Sequence, residues 1–222
     1  MRLAEVGPTK AVIYQDKQGD LAERRDAAEV ARLLPLLRLD GSQALLDVGC
    51  GTGRWSRRLA PRLARYHGVD ATEGLLEHAR VQHLGDKHCR FSLLRADQLS
   101  AAALGESGFD RFLCAGICMY LNDAQVSSLF AAIAEVSAPR ALLLLREPIA
   151  VDERLTLVGH YSNELEHDYH AVYRSVPELL ALIGPTLLAA GYRLVDQGDV
   201  YAEDALNNRA ETRQCWFVLE RA

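Results

Sequence analysis

Leu45-Leu46-Asp47-Val48-Gly49-Cys50-Gly51-Thr52-Gly53-Arg54-Trp55 is an apolar run that passes through glycines at every second position into a helical stretch. Glycine lets the backbone turn sharply and approach a ligand with no side chain in between, so the segment reads as a strand, a ligand-cradling loop and a helix start. A dinucleotide fingerprint places its third glycine three residues after the second, which here is Arg54. A pyrophosphate-bearing nucleotide is therefore the weaker reading of this loop.

Working outward, short apolar runs alternate with helical stretches: Ala44 to Val48, Arg54 to Arg65, Tyr66 to Val69, Glu73 to Gln82, Phe91 to Arg95 and Arg111 to Ala115. Asp123 to Val136 follows as a helix that Asn122 caps, then Ala141 to Arg146 as a buried strand. Ser175 and Glu178 have capping-box spacing and open a helix toward Gly191 with a kink at Pro185, before final strands near Tyr192 to Asp196 and Cys215 to Leu219. Repeated βα units predict an α/β fold, a Rossmann-like, doubly wound, mostly parallel seven-stranded sheet with helices on both faces. Ahead of it, Leu21, Ala28, Ala31 and Leu34 recur at helical spacing up to Pro35. Residues 1–38 are expected to form a helical flap, and residues 39–222 one domain with an acceptor or lid insertion at about 148–175.

The loop carries an acid, Asp47, just before its glycines, which suits a ligand with an amino-acid part and a nucleoside but no phosphate. S-adenosylmethionine is such a ligand. Asp47 can meet its ammonium directly or through water, while loop amides and Arg54 can meet its carboxylate. Asp70 ends the next strand, where its two oxygens can accept both ribose hydroxyls, and Asp97 ends the third, where it and the following N–H can read the adenine edge. Each aspartate alone also fits a helix cap or a loop acid. Three in order behind this loop point to one ligand.

On these residues the chain resembles the class I S-adenosylmethionine-dependent methyltransferases from about residue 40 to its end. The resemblance implies cofactor contacts at Asp47, Gly49, Gly51, Gly53, Asp70, Asp97 and Gln98, and at the strand end that includes Ala115. The segment Gly51-Thr52-Gly53-Arg54-Trp55-Ser56 is loosely similar to the loop of the protein α-amine methyltransferases, whose arginine holds the cofactor carboxylate. Where that branch has a histidine this chain has Tyr120, and where it has an asparagine this chain has Pro148. Tyr14, in the flap, is a further candidate for covering the cofactor.

In doubly wound sheets the ligand lies over the carboxyl ends of the strands, so the acceptor is expected at Tyr120 and in the segment from Arg146 to Ser175. That segment concentrates His160, Tyr161, His167, Tyr169, His170, Tyr173 and Arg174. Methyl transfer from a sulfonium has an excellent leaving group and mainly needs an aligned, desolvated nucleophile. Tyr120, Tyr169 and Tyr173 would orient a neutral amine, and His170 or His167 would serve as a base for a phenol or ammonium. The same tyrosines also fit half-buried packing positions with a wet hydroxyl, and Glu147 would orient an amine or pair with Arg146 or Arg174.

The expected activity is methyl transfer to a small molecule or exposed amine, nitrogen ahead of oxygen. Two alternatives stay open: a cyclase forming azetidine-2-carboxylate and methylthioadenosine from the same cofactor, and a non-catalytic S-adenosylmethionine-binding partner protein. Arg54, Arg58, Arg62 and Arg65 form a basic stripe at helical spacing, but a net charge of −5 argues against a nucleic-acid substrate. Five cysteines without a C-x-x-C pair suggest neither a disulfide framework nor a metal site. With no long apolar run or signal-peptide pattern, no membrane association and a cytoplasmic location are expected.

Overall fold

The computed structural model describes residues 21–162, 167–203, 206–207 and 209–222. Strands β1 (Ala44–Val48), β2 (Arg65–Asp70), β3 (Cys89–Leu93), β4 (Phe109–Ala115), β5 (Ser137–Ala150), β8 (Tyr192–Asp199) and β9 (Thr212–Arg221) form one sheet in the order β3-β2-β1-β4-β5-β9-β8. The first five run parallel and β9 runs antiparallel to both β5 and β8. The strand order reverses between β1 and β4, the switch point at which α/β sheets open a crevice. A separate hairpin, β6 (Leu155–Ser162) with β7 (His167–Tyr173), falls within residues 148–175.

Two cores flank the sheet. One face packs Leu143, Leu145, Phe217 and Leu219 against helices α5 (Asp123–Val136) and α6 (Val176–Ile183). The other packs Leu142, Leu144, Trp216 and Val218 against Leu33, Trp55, Leu59 and Tyr201. Leu33 ends helix α1 (Leu21–Leu33), which passes into a 3-10 turn Leu34–Leu37 containing Pro35, and Leu59 lies in the short helix α2 (Ser56–Leu59). Helices α3 (Glu73–Gln82) and α4 (Ala101–Leu104) complete the set. Among the described residues no helix is long and apolar enough to cross a membrane.

Asn122 caps α5 as expected: its side chain accepts from the Gln125 amide at 2.9 Å while Gln125 accepts from the Asn122 amide at 2.9 Å. Glu178 likewise accepts from the backbone and hydroxyl of Ser175, and the kink expected at Pro185 is a π-helical turn, Gly184–Leu188.

The helix expected over Arg54 to Arg65 is shorter. It covers Ser56–Leu59, tightens into a 3-10 turn at Ala60–Arg62 and gives way to β2 at Arg65, because Pro61 has no N–H to continue an α-helix. The basic stripe therefore does not form one continuous helical face. The third strand begins and ends two residues earlier than expected, at Cys89–Leu93.

Strand β5 extends well past Arg146, through Pro148 to Ala150, because β9 pairs with it all the way from Ala141↔Arg221 to Ala150↔Thr212. The Val151 N–H donates to the Glu211 carbonyl at 3.0 Å, which leaves Pro148 at a position that offers no N–H to β9. The missing donor costs no ladder bond there.

Candidate functional site

At the switch point the backbone of the glycine loop folds over β2: Gly49 and Cys50 donate to the Val69 carbonyl at 2.8 and 3.0 Å. Gly49 has φ +78°, and a side chain there would meet Ile117 at 3.2 Å, so the loop and the β4 segment close on one another only with glycine. Asp70 sits at the end of β2 and both of its oxygens are oriented, Oδ2 by the Gly51 amide at 3.0 Å and Oδ1 by the Thr72 amide at 2.9 Å. A carboxylate has about four acceptor sites, so each oxygen keeps capacity for one more donor. Asp47 is buried and accepts from the Tyr66 hydroxyl at 2.6 Å. Burial raises its pKa to about 7, against the lowering effects of that hydrogen bond and of Arg54, while Asp70 adds to the rise.

These residues line a cavity of about 470 Å³, a size typical of sites that enclose a small organic ligand. Asp47, Gly49, Gly51, Asp70, Asp97 and Ala115 are brought together on its wall. Leu75, Leu94, Ala96 and Ile117 add apolar surface to the same wall. Asp97 is held by Arg95 at 3.0 and 2.9 Å and by the Gln125 amide nitrogen at 2.9 Å, which keep its carboxyl below the usual range. The cap of α5 thus also positions a site residue. An oriented carboxylate with spare acceptor capacity, apolar side chains and a glycine loop suit the parts of S-adenosylmethionine.

Three expected cofactor residues behave differently. Gly53 lies behind the wall: a side chain there would be 2.7 Å from Ser56 Oγ and 3.1 Å from Ala79 Cβ, so this glycine serves packing of the loop on its helices. Gln98 is exposed and off the cavity wall, and its amide already donates to the Arg95 carbonyl at 3.0 Å. Arg54 lines the cavity, but its guanidinium donates to Asp26 and Glu29 of α1, each at 2.8 Å. Tyr14 lies outside the described residues.

On the acceptor side, Tyr120 and Tyr173 line the cavity, the first 48% exposed and the second buried. Tyr169 falls in β7 opposite His160, with its side chain outside the described part. His170 is exposed, accepts from the Gly159 amide at 3.3 Å and is absent from the wall, so it is not placed as a base. The alternating pleat of β7 sends its side chain to the face opposite that of Tyr173.

Among the described residues Glu147 is off the cavity wall, and the ion pairs of Arg146 and Arg174 go to Glu29 and Asp123 instead. Glu147 is buried and accepts from the amides of Ile117 and Cys118 at 2.9 Å and of Met119 at 3.3 Å, fastening the turn that carries Tyr120. Burial raises its pKa, with the backbone hydrogen bonds opposing. Arg174 in turn donates to Asp123 and to the carbonyls of Cys118 and Leu121.

Residues that the local reading missed complete the wall: Arg25, Tyr201, Arg209, Thr212 and Gln214, beside Arg146 and Pro148. The pairing Pro148↔Gln214 and Ala150↔Thr212 sets these side chains on one face of the sheet, two residues apart on each strand. Arg25 reaches the carbonyls of Leu206 and Asn207 from α1, at 2.8 and 3.3 Å. Arg146 donates to Glu29 at 3.0 Å, so this carboxylate bridges Arg54 and Arg146. Burial would raise the Glu29 pKa, and the charges and hydrogen bonds of Arg146 and Arg54 overcome it and hold the group ionised. No motif in the sequence announces this network, because its members are distant along the chain.

Residues 45–140 match the family model described as a methyltransferase domain. Trans-aconitate 2-methyltransferase of Enterobacter sp. (strain 638) is 47% identical over 73 residues, 32% of this chain and 27% of that protein. Human glycine N-methyltransferase is 32% identical over 117 residues, 48% of this chain and 38% of that protein. The chain thus spans well under half the length of these relatives. Among solved structures, Haemonchus contortus phosphoethanolamine N-methyltransferase 1, in complex with phosphoethanolamine and S-adenosylhomocysteine, superposes with a TM-score of 0.76 over 99% of this chain and 47% of that one, at 16% identity. The glycine-loop part of this chain thus matches a methyltransferase domain, and the chain as a whole shares its fold with solved S-adenosylmethionine-dependent methyltransferases.

Proposed function

We propose that the protein transfers a methyl group from S-adenosylmethionine to a small molecule, with an amine nitrogen favoured over oxygen as the nucleophile. The observation that carries this reading is a cavity lined both by the oriented carboxylates of Asp47 and Asp70 and by Tyr120, Tyr173 and Tyr201. When bound, S-adenosylmethionine supplies a methyl group activated by its sulfonium, which an aligned nucleophile takes by in-line displacement while the C–S electron pair stays on sulfur.

In this reading Asp70 grips the ribose, Asp47 faces the ammonium and Asp97 meets the adenine edge. The buried Glu147 holds the Tyr120 turn in place from behind, so the aromatic wall is rigid where alignment matters. No histidine lines the cavity among the described residues, so an amine must arrive neutral or lose its proton to solvent. The relatives named above act, by their names, on trans-aconitate and glycine, which supports a small acceptor.

The test is to incubate the protein with S-adenosylmethionine, with and without a panel of amines, and identify products by mass spectrometry. S-adenosylhomocysteine that forms only with an acceptor is the expected result. Methylthioadenosine without any acceptor would instead establish cyclisation of the cofactor, and no product with any panel member, together with intact cofactor binding, would leave the non-catalytic reading.

A further inference from the structure

The connection from helix α3 to strand β3 carries His83, Asp86 and Cys89 at equal spacing, and none of the three lines the cavity. Two successive backbone turns bring their side chains together. The Asp86 amide donates to the His83 carbonyl at 3.0 Å and the Cys89 amide to the Asp86 carbonyl at 3.3 Å. One ligand-type atom from each side chain then lies within 4.8 Å of the other two. Asp86 Oδ2 is 3.8 Å from His83 Nδ1 and 3.3 Å from Cys89 Sγ. Around a tetrahedral zinc ion, metal–ligand distances of about 2.0–2.3 Å put neighbouring N, O and S ligands about 3.4–3.6 Å apart, a range that the two separations bracket.

A second observation fixes which histidine nitrogen faces this group. Ser56 Oγ donates to the Gly53 carbonyl at 2.8 Å and lies 2.8 Å from His83 Nε2. A hydroxyl has one proton, so a serine that gives it to Gly53 accepts from the histidine, and Nε2 carries the hydrogen. Nδ1 is left with a bare lone pair facing the Asp86 carboxylate, on a side chain only 10% exposed. Two acceptors opposed in this way repel unless a cation stands between them. The surroundings also hold the ligands in place. Asp86 Oδ1 accepts from the His88 amide at 2.9 Å, which leaves Oδ2 for the ion, and the His83 ring packs against Phe91 with centroids 5.5 Å apart.

We propose that His83 Nδ1, Asp86 Oδ2 and Cys89 Sγ bind a divalent cation of the zinc type, with water in the fourth position, which the exposed side of Asp86 admits. On binding, the thiol that donates to Asp86 loses its proton to solvent and the thiolate gives an electron pair to the metal; no electron is transferred. Imidazole, thiolate and carboxylate together suit zinc rather than calcium or magnesium, which take oxygen ligands. The ion staples the α3–β3 connection, and His83 ties it through Ser56 to the glycine loop, beside Gln82, which donates to the Thr52 carbonyl at 2.8 Å. The cysteine pattern alone does not announce the site, because a single cysteine takes part. The inference is independent of the methyltransferase reading.

The experiment titrates the full chain, freed of metal by a chelator, with Zn2+ alone. It follows the heat of binding and the rate at which iodoacetamide alkylates each cysteine, read by peptide mass spectrometry. Expected are one Zn2+ per chain and, with Zn2+ at about ten times its Kd, alkylation of Cys89 slowed about tenfold while the half-buried Cys215 reacts at an unchanged rate. His83→Ala and Asp86→Asn should each abolish the protection, and Cys89→Ser the one-site heat, with the far-ultraviolet circular dichroism of the unmodified chain retained. Ser56→Ala, which removes the partner of Nε2 without touching a ligand, should weaken Zn2+ binding about tenfold to a hundredfold. Adventitious surface association would not respond to it. No protection of Cys89 in the unmodified chain, equal slowing of Cys89 and Cys215, or protection that survives His83→Ala would overturn the proposal, and the first two outcomes need no variant to fold.

Discussion

Along the strand order the cavity wall changes from acidic to basic. Its acidic end presents Asp47, Asp70 and Asp97 from the ends or flanks of β1, β2 and β3, its basic end Arg25, Arg146 and Arg209 from α1, β5 and the segment before β9, and Arg54 of the glycine loop lies between them. At the acidic end Asp70 is oriented by backbone amides, Asp47 by the Tyr66 hydroxyl, and Asp97 by the Arg95 and Gln125 side chains. The basic end is held by side chains, above all by Glu29, which is fully buried and bridges Arg54 and Arg146. One consequence is that loss of Asp70 should lower ligand affinity and leave the fold intact, whereas loss of the Glu29 charge should destabilise the fold.

The largest effect that would test this contrast is Glu29→Gln. Removing one partner of a buried charge cluster leaves Arg146 uncompensated, and unfolding by denaturant should show a loss of about 3–5 kcal/mol. A loss below about 1 kcal/mol would break the comparison. Glu29 also makes the basic end sensitive to acid. Its pKa is lower in the folded state than in the unfolded chain, so its contribution is present above the unfolded value and is lost as pH falls through the folded one.

At the acidic end, Asp70→Ala should cost about 1–3 kcal/mol in S-adenosylhomocysteine affinity, or about 5- to 150-fold by calorimetry, with little change in melting temperature. Unchanged affinity would refute the ribose role.

A smaller effect sharpens the contrast further. Asp47 has its folded pKa raised to about 7, so its ionisation works against stability, and that part of the stability falls as pH rises from about 4 towards 7. An ammonium placed against it favours the ionised form. Binding of S-adenosylhomocysteine at pH 6 should therefore release a fraction of a proton, measured by calorimetry in buffers of different ionisation enthalpy. Release that persists unchanged in Asp47→Asn would assign the proton elsewhere.

How much of this could be read from the residues in order divides along the same line. Arguments about strand ends and loop turns single out Asp47, Gly49, Gly51, Asp70 and Asp97, and all five line the cavity. Loop spacing points to Gly53 as a ligand contact, but a side chain there would meet Ser56 and Ala79, a helix contact that spacing in the loop does not reveal. Gln98 was inferred from its neighbour, but a 3-10 turn over Ala96–Gln98 spends its amide and turns its side chain outward. His170 was chosen for its chemistry, and the period-two alternation of β7 separates it from Tyr173.

The amino-acid sequence alone determined the class of sheet, the glycine loop and the acids beside it, because backbone turns, caps and strand-end positions are decided by residues within a few places of one another. Tertiary structure alone decided the basic end. Arg25 meets the Leu206 carbonyl across 181 positions, and Glu29 meets Arg146 across 117. Such pairs exist only once β9 has paired with β5 and α1 has packed on that face, since burial and sheet register, rather than local spacing, bring their charges together.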